Sequence, residues 1–311
     1  MSGDYSALAS RLGFEERYVE KACRVSDLIH RISQVPFLRE RLSLYGGTAL
    51  ALVFLPEIPR LSVDADFNYR HIDGEDWGIV RGRIDEDLKR VLYSLRYRES
   101  DLAIDASYPL GRITVDYTSI NGLRDSFKVE VGYMRRIPVL MGDSMEAYRH
   151  PAGGEGFKVL TPRREELFAN KWCTMLYRGS SRDLFDVYRI SELSMDVEVF
   201  RVCAVVDSLM RGPPKLSGVD VGEVVGRISV DPGLLNLLKK GSSFSKGEVR
   251  RRVAEFSGGV LSGLTLDQRE AIDLFHGEAR FEPELIDKRG VLNPGIRIHP
   301  MILRALQSRG N

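Results

Sequence analysis

Apolar residues recur at helical spacing over residues 15–34, EERYVEKACRVSDLIHRISQ, where Val19, Ala22, Cys23, Leu28, Ile29 and Ile32 share one stripe. The same period predicts a helix over 75–97, with Ile79, Ile84, Leu88, Val91, Leu92 and Leu95 facing inward. From 101 to 141 the texture changes. DLAIDASYP, GRITVDYTSI and SFKVEVGYMRRIPVLM are short, rich in β-branched and aromatic residues, and separated by Pro-Leu-Gly and Asn-Gly-Leu-Arg-Asp turn signals. They predict successive strands of one antiparallel or mixed sheet. LSVDADFNY, residues 61–69, predicts a further strand, and 142–156, with PAGGEG inside it, predicts a loop.

After Thr161-Pro162 the pattern is almost wholly helical. Thr161 is expected as a cap and Pro162 in the first turn of a helix through RREELFANKWCTMLYRG, which Gly179 ends. SSRDLFDVYRISEL predicts the next helix, capped by Ser180 or Ser181, and more are expected near 195–210, 233–240, 245–256, 266–277 and 300–308. The fold class is therefore α+β. A domain of residues 1–160, a mixed sheet flanked by helices, precedes a helical domain of residues 161–311, and residues near 171–186 are expected to complete the first domain's site.

Composition narrows the function classes. With 45 basic and 44 acidic residues the net charge is +1, which argues against a nucleic-acid-coating protein but leaves room for a local basic patch. Arg250-Arg251-Arg252 and Lys239-Lys240 are candidates for such a patch, against the alternative of solvated helix faces. Cys23, Cys173 and Cys203 are odd in number and far apart, so neither a disulfide framework nor a zinc motif is expected and a reducing, cytoplasmic location fits. The five histidines lack metal-ligand spacing. No apolar run approaches the roughly 18 residues of a membrane span, and the polar N-terminus does not read as a signal peptide.

The candidate chemistry lies between Leu44 and Arg70. Asp64 and Asp66 are two apart, which on a strand places both carboxylates on one face. Two adjacent carboxylates repel unless a counter-charge is present, and hard oxygen donors suit Mg²⁺ or Mn²⁺. Gly46-Gly47-Thr48 precedes an apolar run able to start a helix, so backbone N–H groups and the Thr hydroxyl are placed to receive phosphate oxygens. Taken singly, each feature also reads as an ordinary turn or a pair of acids facing water. Glu130, in FKVEVGY, is a charge in mid-strand that needs a partner, with Asp116 as its competitor for a third-carboxylate role.

Gly-Gly-Thr followed by Asp-x-Asp resembles the signature of polymerase-β-type nucleotidyltransferases. More narrowly, YGGTALAL with RLSVDADF, and LFANKWCTMLYRGSSRDLFDVYRI at 167–190, resemble the two motif blocks of the AbiEii/AbiGii toxin family. The tail RGVLNPGIRIHPMILRAL is similar to the C-termini of that family, while Ala65 stands where a bulkier aliphatic residue is usual. The resemblance implies a nucleotidyltransferase fold that moves a nucleoside monophosphate from a nucleoside triphosphate to a hydroxyl. It implies metal binding by Asp64, Asp66 and Glu130, a phosphate turn of Gly46, Gly47 and Thr48, and supporting polar positions at Arg60 and Ser62. It also implies triphosphate binding by Lys171, with Asp183, or else Asp186, positioning that lysine or the acceptor. RNA, the tRNA 3′ end above all, is the acceptor it implies, and a cognate antitoxin the partner. Transfer to a small molecule or a protein hydroxyl, and a non-catalytic nucleotide-binding module, are the competing readings.

Overall fold

The structure, a computed structural model, describes residues 4–72, 74–241 and 245–309. Seven strands are present among them: β1 (Leu42–Leu44), β2 (Ala65–Tyr69), β3 (Leu102–Asp105), β4 (Leu110–Thr118), β5 (Arg124–Gly132), β6 (Ser144–Tyr148) and β7 (Phe157–Thr161). The first five form one sheet in the order β1-β2-β5-β4-β3, in which β2 and β5 run parallel and every other pair is antiparallel. The chain divides into one unit of residues 1–136, 144–161 and 236–242 and another of residues 137–143, 162–235 and 243–311.

Strict alternation gives the sheet of the first unit two unlike faces. Phe127, Val129 and Val131 on β5, with Ile113 and Val115 on β4, are buried. Helix Glu16–Gln34, amphipathic as expected, contacts β5 and helix Trp77–Ser94. The alternate positions, Lys128 and Glu130 on β5 and Arg112, Thr114 and Asp116 on β4, form a polar face. Arg17 and Lys21 of helix Glu16–Gln34 reach Asp125 on β5 at 2.8 and 2.6 Å. Burial pushes the Asp125 carboxyl up, but hydrogen bonds from Arg17 and Lys21 outweigh it and hold the group well below the usual carboxylate range.

The second unit is helical. Helix Arg164–Arg178 contacts helices Ser181–Ile190 and Val197–Leu209, and Trp172 is fully buried with its indole N–H on Ser257 at 2.9 Å. The Glu166 carboxylate accepts the backbone N–H groups of Val139 and Leu140, each at 3.0 Å, and so anchors the segment 137–143.

Four expectations need correction. The stretch 142–156 contains β6, which pairs with β7 around PAGGEG; Ser-Met-Glu-Ala-Tyr has weak strand preference and gains its structure from the partner. Thr161 ends β7 instead of capping a helix, and the next helix begins at Arg164 without a side-chain cap. Of the expected helix over 233–240, only the turn Pro232–Leu235 is helical; the following residues pair with the first unit's own chain, Leu238 bridging to Arg60. Ile79 is 74% exposed and Val80 takes the inward position of helix Trp77–Ser94. The sequence pattern also passed over helices Tyr5–Leu12 and Val221–Arg227.

Trp172→Ala should destabilise the helical unit by about 3–5 kcal/mol, the usual cost of emptying a buried aromatic site, read as an earlier urea transition. Asp125→Asn should cost about 2 kcal/mol at neutral pH. Because the folded carboxyl titrates below its unfolded value, that stabilisation is complete above the ordinary aspartate value of about 3.9 and is lost as pH falls through the folded value. Stability curves of wild type and variant should therefore lie a constant distance apart above about pH 5 and converge as pH falls into the acid range.

Candidate active site

The glycine turn is a short helical segment, Gly46–Ala49, running into a π-type turn, Leu50–Phe54, closed by the Leu55 N–H on the Leu50 carbonyl at 3.0 Å. Gly46 has φ +69°, a left-handed conformation suited to glycine. A Cβ at Gly46 would fall on an Asp66 carboxylate oxygen, and one at Gly47 would lie 2.7 Å from the Arg60 guanidinium and 3.2 Å from the Ser62 hydroxyl. Both glycines are thus explained by close approach to the segment that carries the acids. The Tyr45 N–H donates to the Asp66 carbonyl at 2.7 Å, which fixes the start of the turn on β2.

Thr48 is 0% exposed, and its hydroxyl donates to the Asp64 carbonyl at 2.5 Å while meeting the Ser62 hydroxyl at 2.8 Å. One hydroxyl carries one proton, so Ser62 donates in the second bond. The expected contact of the Thr48 hydroxyl with a phosphate oxygen is replaced by this internal stitch between the turn and the acids. Arg60 and Ser62 are likewise buried, and Arg60 donates to the Leu61 carbonyl at 3.1 Å.

Asp64 lies one residue before β2, not within a strand, and its carboxylate accepts the Lys128 N–H at 3.2 Å. Asp66 is on β2 in register with Glu130 on β5, and Glu130 is in register with Arg112 on β4. Register partners point to the same face, so Asp66, Glu130 and Arg112 form a row across the polar face. Asp116 is in register with Ser126, four positions along β5 from Glu130, and so does not adjoin Asp66. Arg112 donates to Glu130 at 2.7 Å. Among the described residues, no three His, Cys, Asp or Glu side chains are grouped closely enough to share a metal. The Glu130 carboxylate is engaged by Arg112. The Asp64 and Asp66 oxygens remain hard donors of the kind Mg²⁺ or Mn²⁺ takes.

In the second unit, Lys171 is 7% exposed and donates to Asp186 at 3.0 Å. Asp183 serves a different purpose: it pairs with Arg178 at 2.6 Å and forms the capping box with Ser180 that starts helix Ser181–Ile190. Of the two acids weighed as partners for Lys171, the structure brings Asp186 to it. Arg250 donates to the Ile228 carbonyl and Arg251 pairs with Glu255, so two of the three clustered arginines are engaged within their own unit. Sequence reasoning missed Arg112. Alternation along GRITVDYTS places it on the polar face, but only the β4–β5 register pairs it with Glu130.

A glycine turn pressed against a carboxylate, at the edge of a mixed sheet whose polar face carries a second acid, is the arrangement of a nucleotidyltransferase. A family model described as nucleotidyl transferase AbiEii toxin, type IV TA system, matches residues 28–272, and the chain belongs to that family of nucleotidyltransferase toxins of type IV toxin–antitoxin systems. The chain is similar in fold to MenT4, a nucleotidyltransferase toxin from Mycobacterium tuberculosis, with a TM-score of 0.64 over 99% of both chains at 19% identity. No curated protein matches the chain. Among the described residues no helix is long and apolar enough to cross a membrane.

Gly46→Ala should push the Asp66 carboxylate aside and lower nucleotide transfer on the order of 100-fold, and the left-handed backbone there should cost a further roughly 1–2 kcal/mol in stability. Transfer assays and thermal unfolding of the same protein check the two halves of this expectation.

Proposed function

We propose that this chain transfers a nucleoside monophosphate from a nucleoside triphosphate to a hydroxyl of RNA, with the tRNA 3′ end as the acceptor, and that a cognate antitoxin protein restrains it. The observation that carries the reading is the β2–β5 register, which sets Glu130 beside Asp66 while Gly46 abuts the Asp66 carboxylate. The RNA acceptor and the antitoxin rest on membership of a toxin family.

Asp64 and Asp66 would hold a divalent cation, with Glu130 as the adjacent carboxylate. Such an ion, when bound, neutralises phosphate charge and makes the α-phosphorus more electrophilic. The chain's own residues do the positioning that phosphoryl-type transfer chiefly needs. The turn at Gly46 and Gly47 is the proposed phosphate-holding segment, and the Thr48–Ser62 stitch keeps that turn fixed relative to the acids. Arg112 has donors beyond the one given to Glu130 and would meet a phosphate oxygen on the polar face. Lys171, which donates to Asp186 within its own unit, is the remaining candidate for triphosphate binding that family membership suggests.

Incubation with each labelled nucleoside triphosphate and total RNA should place label in tRNA. Asp64→Ala or Asp66→Ala, or a metal chelator, should remove that label on the order of 100-fold or more. Label only in small molecules or in protein would overturn the RNA assignment. Undiminished transfer by both variants would overturn the site.

A further inference from the structure

Strand β3 pairs with β4 only from Leu102↔Val115 to Asp105↔Arg112, so β4 continues bare-edged through Asp116, Tyr117 and Thr118. A cavity of about 740 Å³ opens there, lined by the chain's turn after helix Trp77–Ser94 and by the start of β5. That volume suits a ligand of nucleotide size.

Three arginines line it: Arg24, Arg96 and Arg124. Arg24 is paired with Glu20 at 2.7 Å and lies over the Tyr117 ring at 4.4 Å. Arg96 and Arg124 make no ion pair among the described residues. Arg96 has φ +70°, at the left-handed position after a helix that glycine usually fills, with the Tyr97 N–H on the Leu92 carbonyl at 3.2 Å closing the turn. An arginine there costs backbone energy that glycine would not, and such residues gather at ligand sites. Tyr117 is 8% exposed, and its hydroxyl finds no hydrogen-bond partner among the described residues. Buried hydroxyls are nearly always bonded, so this one awaits an acceptor or donor that the chain does not supply. Of the three acids that line the cavity, Asp125 is held by Arg17 and Lys21, while Asp101, which accepts the Arg98 N–H at 2.7 Å, and Asp116 keep acceptor oxygens for ligand hydroxyls.

Arg24 of helix Glu16–Gln34 and Asp125, which that helix holds, line the cavity together with the ends of β4 and β5. Ser126, on its wall, lies four residues from Glu130 along β5, about 13 Å at the rise of a strand. We infer that this cavity holds one phosphate-bearing nucleotide unit, its phosphate on Arg96 and Arg124 and a further polar atom on the Tyr117 hydroxyl, outside the position of the reacting triphosphate. The choice of a nucleotide over another phosphate ester rests on the nucleotidyltransfer reading. A free mononucleotide and one unit of an RNA strand offer the same chemistry.

The test is calorimetric titration of the Asp64→Ala protein, without divalent metal, with the four nucleoside 5′-monophosphates and with a 5′-phosphorylated RNA trinucleotide. Binding is expected, and Arg96→Gly or Arg124→Gln added to that background should weaken it about tenfold, as loss of a charged hydrogen bond does. Arg96→Gly should at the same time melt no lower than its parent, because glycine relaxes the backbone there. Binding of the trinucleotide alone assigns the cavity to an RNA strand; binding of both assigns it to any phosphorylated nucleotide. Absence of binding by every probe, or equal affinity in both cavity variants and their parent, overturns the inference. Since Asp64→Ala is the parent throughout, this result stands apart from whether the wild type transfers nucleotides.

Discussion

Parallel strands cannot be joined by a tight turn, and the pairing of β2 with β5 is reached only after the chain has passed through helix Trp77–Ser94 and strands β3 and β4. That one long-range pairing sets the polar face. It fixes Asp66 beside Glu130, brings the Lys128 N–H to Asp64, and leaves Ala65 and Val129 on the buried side. A slip by one residue would exchange the two faces, burying acids and exposing valines, so the hydrophobic packing beneath the sheet and the placement of the carboxylates above it are the same constraint.

The glycine turn is tied to that pairing by short polar contacts, not by apolar packing. Thr48, Ser62 and the Asp64 carbonyl share hydrogen bonds in a buried pocket, and the Tyr45 N–H holds the Asp66 carbonyl. Buried networks of this kind are stabilising only when fully satisfied, which gives the turn little freedom relative to the acids. Such rigidity fits the proposed role of the turn, since groups that position a reacting substrate gain from being held in one geometry.

Much of this was legible from residue patterns. The amphipathic stripe of 15–34, the alternation in GRITVDYTS and SFKVEVGY, and the stop at Gly179 each carry their structure locally, and the helices and strands stand close to where those patterns place them. Strand β6 and the residues after Leu235 were not legible, because their conformation depends on distant partners. The same division holds at the site. The glycines and aspartates announce themselves by spacing, whereas Arg112 at Glu130 and Asp186 at Lys171 are products of register and helix packing. Thr48 shows the converse: its residue type suggested a ligand contact, and its burial gives it an internal one.

The acid-bearing loop is finished by residues from far along the chain. Leu61 donates its N–H to Leu237 at 2.9 Å, and Leu237 joins Phe14, Val19 and Leu61 in one buried cluster. Translation runs in one direction, and Leu237 leaves the ribosome only after most of the helical unit has been made. A nascent chain halted before that point lacks the backing of the segment that leads into Asp64 and Asp66. The order of synthesis thus separates two events, since the five-stranded sheet is made by residue 132 and the segment that leads into the acids gains its backing only about a hundred residues later.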